Sequence, residues 1–103
     1  MFQATITDRL PRTIIALEGE LDLASTPQLL AIVRGVMDAG SEEIVLDLAA
    51  LSFIDSTGLS GVARLADHAR SSGASLELRS PSELTSQVLE VTGLDRVITV
   101  CAA

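Results

Sequence analysis

The residues best placed to do chemistry lie in one stretch, Leu51-Ser52-Phe53-Ile54-Asp55-Ser56-Thr57-Gly58-Leu59-Ser60-Gly61. Asp55, Ser56 and Thr57 are all residue types whose side-chain oxygen can accept a backbone N–H at a helix N-terminus. The apolar residues before them read as the end of a buried strand, and those after them as the start of a helix. An exposed hydroxyl at such a turn could be a nucleophile, an acceptor for a modifying group, or only a helix cap.

The sequence argues against a nucleophile. The turn resembles the nucleophile elbow of the α/β-hydrolases, but Gly58-Leu59-Ser60-Gly61 lacks the second spacer of Gly-x-Ser-x-Gly. His68 is the one histidine and lies two turns beyond Ser60, about 12 Å away by helix rise, too far to act as its base. A phosphate-binding P-loop needs a lysine, and the chain has none. Cys101 and His68 each stand alone, so neither a disulfide framework, a thiolate cluster nor a His pair for zinc can be built. Glu20 and Asp22 read as surface acids. No catalytic activity, metal or cofactor is therefore expected.

Composition narrows the partners. Fourteen acids against seven arginines leave a net charge of −7, which repels phosphate backbones and excludes direct nucleic-acid binding. Phe2 and Phe53 are the only aromatics, so there is no stacking surface for bases or sugars. No basic segment followed by an apolar run opens the chain, and no apolar stretch approaches the roughly 20 residues that span a bilayer. A soluble, reduced, cytoplasmic protein is expected, with residues 1–103 forming one domain.

The elements that must position the turn follow from periodicity. Residues 2–8 alternate as a half-buried strand, Arg9-Leu10-Pro11-Arg12 turns the chain, and 13–18 return as an antiparallel strand broken by Gly19. Ser25-Thr26-Pro27 signals a helix start, with Leu29, Ile32, Val33, Val36 and Met37 on its apolar side and Gly40 at its end. Residues 43–48 are near-continuously apolar, as a central covered strand should be.

The next helix spans about 57–72. Leu59, Val62, Ala66 and Ala69 form its apolar side; Ser60, Gly61, Arg64, Asp67, His68 and Ser71 form its polar side. A strand over 75–79 follows. Ser80-Pro81-Ser82-Glu83 then reads as a capping box for a helix with a buried stripe of Leu84, Val88 and Val91. Gly93-Leu94 should stop that helix, and 97–100 should form the last strand. The pattern predicts an α/β fold, a mixed sheet with helices packed on it and its later strands parallel. In such sheets, partners meet the carboxyl ends of the strands. Both the Gly19–Asp22 loop and the Asp55-Ser56 turn leave such ends, and on one edge they would make one site.

Phe53-Ile54-Asp55-Ser56-Thr57-Gly58-Leu59 resembles the signature of the STAS domain in bacterial anti-sigma factor antagonists. Gly19-Glu20-Leu21-Asp22 resembles that family's other hallmark, at a matching distance upstream, and the likeness runs from the first strand to the last. The resemblance implies a partner switch. Unphosphorylated members bind an anti-sigma factor that is also a serine kinase, which frees the sigma factor. The kinase phosphorylates the serine after the motif Asp, here Ser56, and a separate phosphatase restores the active form. The resemblance further implies that Asp55 is the adjacent acid and Asp22 the loop acid beside it. Partner contact is then expected from Glu20, Asp22, Asp55, Ser56, Thr57, Gly58, Ser60, Gly61, Arg64 and His68.

Three departures stand out. Relatives often carry a further C-terminal helix, Thr57 is a second hydroxyl beside the acceptor, and Ser60 stands where some relatives have glycine. The alternative implied by resemblance is a STAS-like structural subunit of a lipid-transport ABC system.

Overall fold

The computed structural model describes residues 1–8 and 11–102. Its strands are β1 (Phe2–Asp8), β2 (Arg12–Leu21), β3 (Glu43–Ile54), β4 (Ser75–Arg79) and β5 (Thr99–Cys101). Its helices are α1 (Thr26–Asp38), α2 (Ser56–Ser71) and α3 (Glu83–Thr92), with a 3-10 turn over Leu94–Arg96. The sheet runs β1-β2-β3-β4-β5. The pairing of β1 with β2 is antiparallel, and every later pair is parallel with one helix between successive strands. This is the α/β mixed sheet that the sequence predicts. The turn assigned to Arg9-Leu10 lies outside the described residues.

Alternation builds the core. Ile15, Leu17 and Leu21 of β2 and Ile44, Leu46 and Leu48 of β3 are nearly inaccessible. They cluster with Leu29 and Val33 of α1, Val62, Leu65 and Ala69 of α2, and Leu89 of α3. Such close-packed aliphatic contact holds the strand ends in fixed register. Leu65, absent from the expected apolar side of α2, is fully buried.

Several expectations need correction. Gly19 does not break the second strand: β2 runs on to Leu21, with Gly19 at φ +93°. β3 likewise runs to Ile54 rather than stopping near Leu48. Two register shifts in their pairing, between Ala16 and Glu18 and between Gly19 and Glu20, each leave an extra residue on β3. Such bulges break the two-residue period by which a strand is recognised.

The caps also differ. Ser25 makes no side-chain cap for α1, because its hydroxyl is engaged in the preceding loop. Ser82, not Ser80, caps α3 by accepting the Thr85 N–H at 3.1 Å. Ser80 instead takes a φ of +55° and donates its N–H to the Cys101 carbonyl at 2.8 Å. The last strand begins at Thr99, two residues later than expected.

The largest correction concerns α3. Leu84 and Val91 are 64% and 85% exposed, whereas Thr85 and Leu89 are buried. The ends of this short helix fix its rotation. Ser82 holds Thr85 at the first turn, and the left-handed Gly93 carries the chain into buried Leu94. Leu89 and Leu94 therefore face the core, and of the richer Leu84-Val88-Val91 stripe Leu84 and Val91 are left outside with Val88 half-buried. Leu89→Ala should accordingly cost about 2–5 kcal/mol in denaturant unfolding, whereas Val91→Ser should stay within about 0.5 kcal/mol of wild type.

Candidate functional site

The site begins with two strand ends lying side by side. Leu21 pairs with Ile54 in the parallel β2–β3 ladder. One residue on, the Asp55 N–H donates to the Leu21 carbonyl at 3.1 Å. The loop after β2 and the turn after β3 therefore share one edge of the sheet, as the sequence expects.

Of the three candidate caps, the structure selects Asp55. Its backbone is extended, and its Oδ1 accepts the Gly58 N–H at 2.8 Å while its carbonyl accepts the Leu59 N–H at 2.9 Å. Ser56 thereby becomes the first residue of α2. It is exposed, and among the described residues no hydrogen bond ties its Oγ. Thr57, next along the helix, is half-buried.

Gly58 and Gly61 have a different place from the exposed one expected of them. Both are buried. A Cβ at Gly58 would lie 2.7 Å from the Leu21 carbonyl oxygen, and one at Gly61 would lie 2.5 Å from Thr26 Cγ2. Two glycines thus let the first two turns of α2 close onto the end of β2 and the start of α1. They shape the surface from beneath and offer none of it. On the outer side Ser60 and Arg64 are exposed and His68 is half-buried, which continues the strip from Ser56 along α2.

The second half of the site is held by Asp22. Its Oδ1 accepts the N–H groups of Ala24 and Ser25, both at 3.1 Å. Ser25 Oγ lies 2.9 Å from the Glu20 carbonyl and 3.0 Å from Asp22 Oδ1, and its single proton serves one or the other. The Asp22 N–H donates back to Ser25 Oγ at 2.9 Å. The Asp22 carbonyl accepts both the N–H and the hydroxyl of Thr26, which locks the loop to α1. The Ser25 amide, then the Ser25 hydroxyl and the Ala24 amide, favour the carboxylate and hold the Asp22 pKa below its ordinary value.

Electrostatically the edge is predominantly acidic, its nearest cation being the Met1 ammonium, 3.3 Å from Glu20 Oε1. Residues 18–25 and 52–60 contain Glu18, Glu20, Asp22 and Asp55 and not one basic side chain. Beside Ser56 lies a groove of about 270 Å³ lined by Leu59, Ser60, Ala63, Thr92 and Leu94. Sequence reasoning missed the contribution of Thr92 and Leu94, because it placed the outward face of α3 inward. Among the described residues, no group of three His, Cys, Asp or Glu side chains could hold a metal ion. No described helix is long and apolar enough to cross a membrane.

This fold is that of a known domain class. Residues 6–100 match the family described as "Mlab, STAS domain", and the chain belongs to the STAS domain family. It is similar in structure to an anti-sigma factor antagonist from Mycobacterium paratuberculosis, with a TM-score of 0.88 and 20% identity over 100% of this chain and 87% of the other. It is also similar to the anti-sigma factor antagonist SpoIIAA in its unphosphorylated form, with a TM-score of 0.68 and 26% identity over 94% and 97% of the two chains. The phosphorylated form of the Bacillus cell fate determinant SpoIIAA matches with a TM-score of 0.72 and 25% identity over 97% and 90%.

Two outcomes follow for the site. Asp55→Ala removes a cap and should lower stability by about 1 kcal/mol in equilibrium unfolding. The Asp22 carboxylate, with its folded pKa below the unfolded value, contributes stability above the unfolded pKa that is lost as pH falls through the folded one. An NMR titration should therefore place the Asp22 midpoint below 3.8, with the Ala24 and Ser25 amide shifts following the same curve.

Proposed function

We propose that this protein is an anti-sigma factor antagonist that binds an anti-sigma factor serine kinase while Ser56 is unphosphorylated, and that phosphorylation of Ser56 releases the kinase. The observation that carries this reading is the exposed Ser56 hydroxyl, first in α2, beside an Asp55 carboxylate already committed to Gly58. Asp55 is a positioning group here: its hydrogen bond fixes the helix start and turns Ser56 outward. The protein serves as a binding partner, and ATP belongs to the kinase. A separate phosphatase would return Ser56 to its free form.

Local physics supports a switch at this position. A phosphoryl group adds about −1.5 to −2 charge and three acceptor oxygens. At a helix N-terminus it meets backbone N–H groups that have no partner within the helix, here those of Ser56 and Thr57, and the positive end of the helix dipole. The domain should therefore carry the phosphate without unfolding. The relative SpoIIAA, whose phosphorylated and unphosphorylated forms both match this fold, supports that expectation. The cost then falls on the complex, where a hydrated dianion at Ser56 would have to give up its water to be enclosed in the contact. The docking surface of this reading is the outer strip of Ser56, Thr57, Ser60, Arg64 and His68 together with Glu20 and Asp22.

The test is phosphoryl transfer. Purified candidate anti-sigma factor kinases are incubated with ATP and the protein, and the modified residue is mapped by mass spectrometry. Phosphate on Ser56, with Ser56→Ala unmodified yet still bound to the kinase, is the expected result. Phosphate on Thr57 alone would overturn the assignment. Stable binding to an ABC ATPase with no phosphorylation would favour the structural-subunit alternative.

A further inference from the structure

Two apolar side chains stand out on the acidic edge around Ser56. Leu23 is 73% exposed and Phe53 is 47% exposed. Each is held outward by a local device rather than left over from packing.

Phe53 follows the second bulge. One step on β2, from Gly19 to Glu20, spans two on β3, from Leu51 to Phe53, so Ser52 is the extra residue. Ser52 Oγ donates to the Gly19 carbonyl at 2.9 Å and pins the bulge. Only glycine fits there, because Gly19 has a φ of +93° and a Cβ would lie 1.9 Å from the Met1 carbonyl oxygen. The bulge turns Ile54 toward the core and leaves Phe53 outside. Without it, strand alternation from buried Leu51 would place Phe53 on the core side.

Leu23 sits at the tip of the loop that Asp22 organises, with its neighbours Ala24 and Ser25 both bonded to the Asp22 carboxylate. That loop is further fixed by Ser25 and Thr26, both buried. Leu23 is thus presented on a stiff support, so little further ordering is lost when a partner covers it.

We propose that Leu23 and Phe53 are the apolar anchors of the partner interface around Ser56, seating in a shallow apolar pocket of the kinase whose rim is basic. This deepens the reading given above and rests on it. The basic rim follows from charge. The segments that carry both anchors hold four acids and no basic side chain, and only the Met1 ammonium beside Glu20 offsets them, in a chain of net charge −7. A buried apolar centre inside a charged rim is the arrangement that concentrates binding energy in few residues. It also explains how one phosphate could act. Anchors that seal the contact from water make a dianion at Ser56 costly to enclose, so the anchors and the switch depend on each other.

The experiment uses the purified kinase that transfers phosphate to Ser56 and measures its affinity for four proteins: wild type, Leu23→Ser, Phe53→Ser and Val97→Ser. Val97 is 58% exposed but precedes β5, at the opposite edge of the sheet, and serves as the control. Each anchor variant should lose about 10- to 100-fold in affinity with an unchanged unfolding midpoint, and Val97→Ser should bind as wild type. The ratio of affinities between the unphosphorylated and phosphorylated forms should shrink in the anchor variants. Binding of wild type should weaken with added salt.

Anchor variants within twofold of wild type, while wild-type Ser56 is phosphorylated normally, overturn the anchors alone. Failure of every candidate kinase to phosphorylate wild-type Ser56 overturns the function and the anchors together. A loss shared equally by Val97→Ser also counts against the anchors, since it would mark a general response to a lost apolar side chain.

Discussion

The site depends on one carbonyl, that of Leu21. It accepts the Asp55 N–H at 3.1 Å, and its oxygen lies 2.7 Å from where a Cβ of residue 58 would be. The end of β2, the end of β3 and the first turn of α2 therefore meet at one atom. A side chain at 58 would push the helix off the strand, and with it the cap that aims Ser56 outward. Position 61 repeats the constraint one turn later against Thr26, so α2 is seated on both β2 and α1. A serine carried on such packed elements is held more tightly than one on a free loop.

The acids of the edge are structural before they are anything else. Asp55 is occupied by the Gly58 amide, and Asp22 by the amides of Ala24 and Ser25. Both carboxylates are thus spent on holding the backbone of the turn and the loop. Their charge remains, however, and under the proposed function it sets what a partner must provide. In the proposed reading, folding and recognition use the same two carboxylates: each is bonded to backbone amides, and its charge faces the docking partner.

Much of this was legible in the sequence. The strand-helix alternation, the parallel sheet and the meeting of the Gly19–Asp22 and Asp55–Ser56 segments all follow from periodicity and turn residues. The failures share a physical cause: a local bond overruled a pattern. Bulges at Leu48 to Ala49 and at Ser52 hid the length of β3, because each shifts the alternation by one residue. Serines and threonines near the helix starts offered several caps, and only the hydrogen bonds chose among them: the Ser25 hydroxyl is taken up by the loop, and Ser82 caps α3 where Ser80 was expected. In α3 a stripe of three apolar residues lost to one leucine, because Ser82 and Gly93 set the rotation of a helix only ten residues long. The glycines of α2 were noticed from their cost to the helix, yet what they approach belongs to this chain and not to a partner.

The claim that Ser56 is a switch is tested most directly by titrating one kinase with the two forms of this protein, unmodified and phosphorylated at Ser56, by calorimetry, with circular dichroism on both. The account predicts superimposable spectra and an affinity at least about 100-fold weaker for the phosphorylated form, or about 2.7 kcal/mol. Equal affinities for the two forms would contradict it.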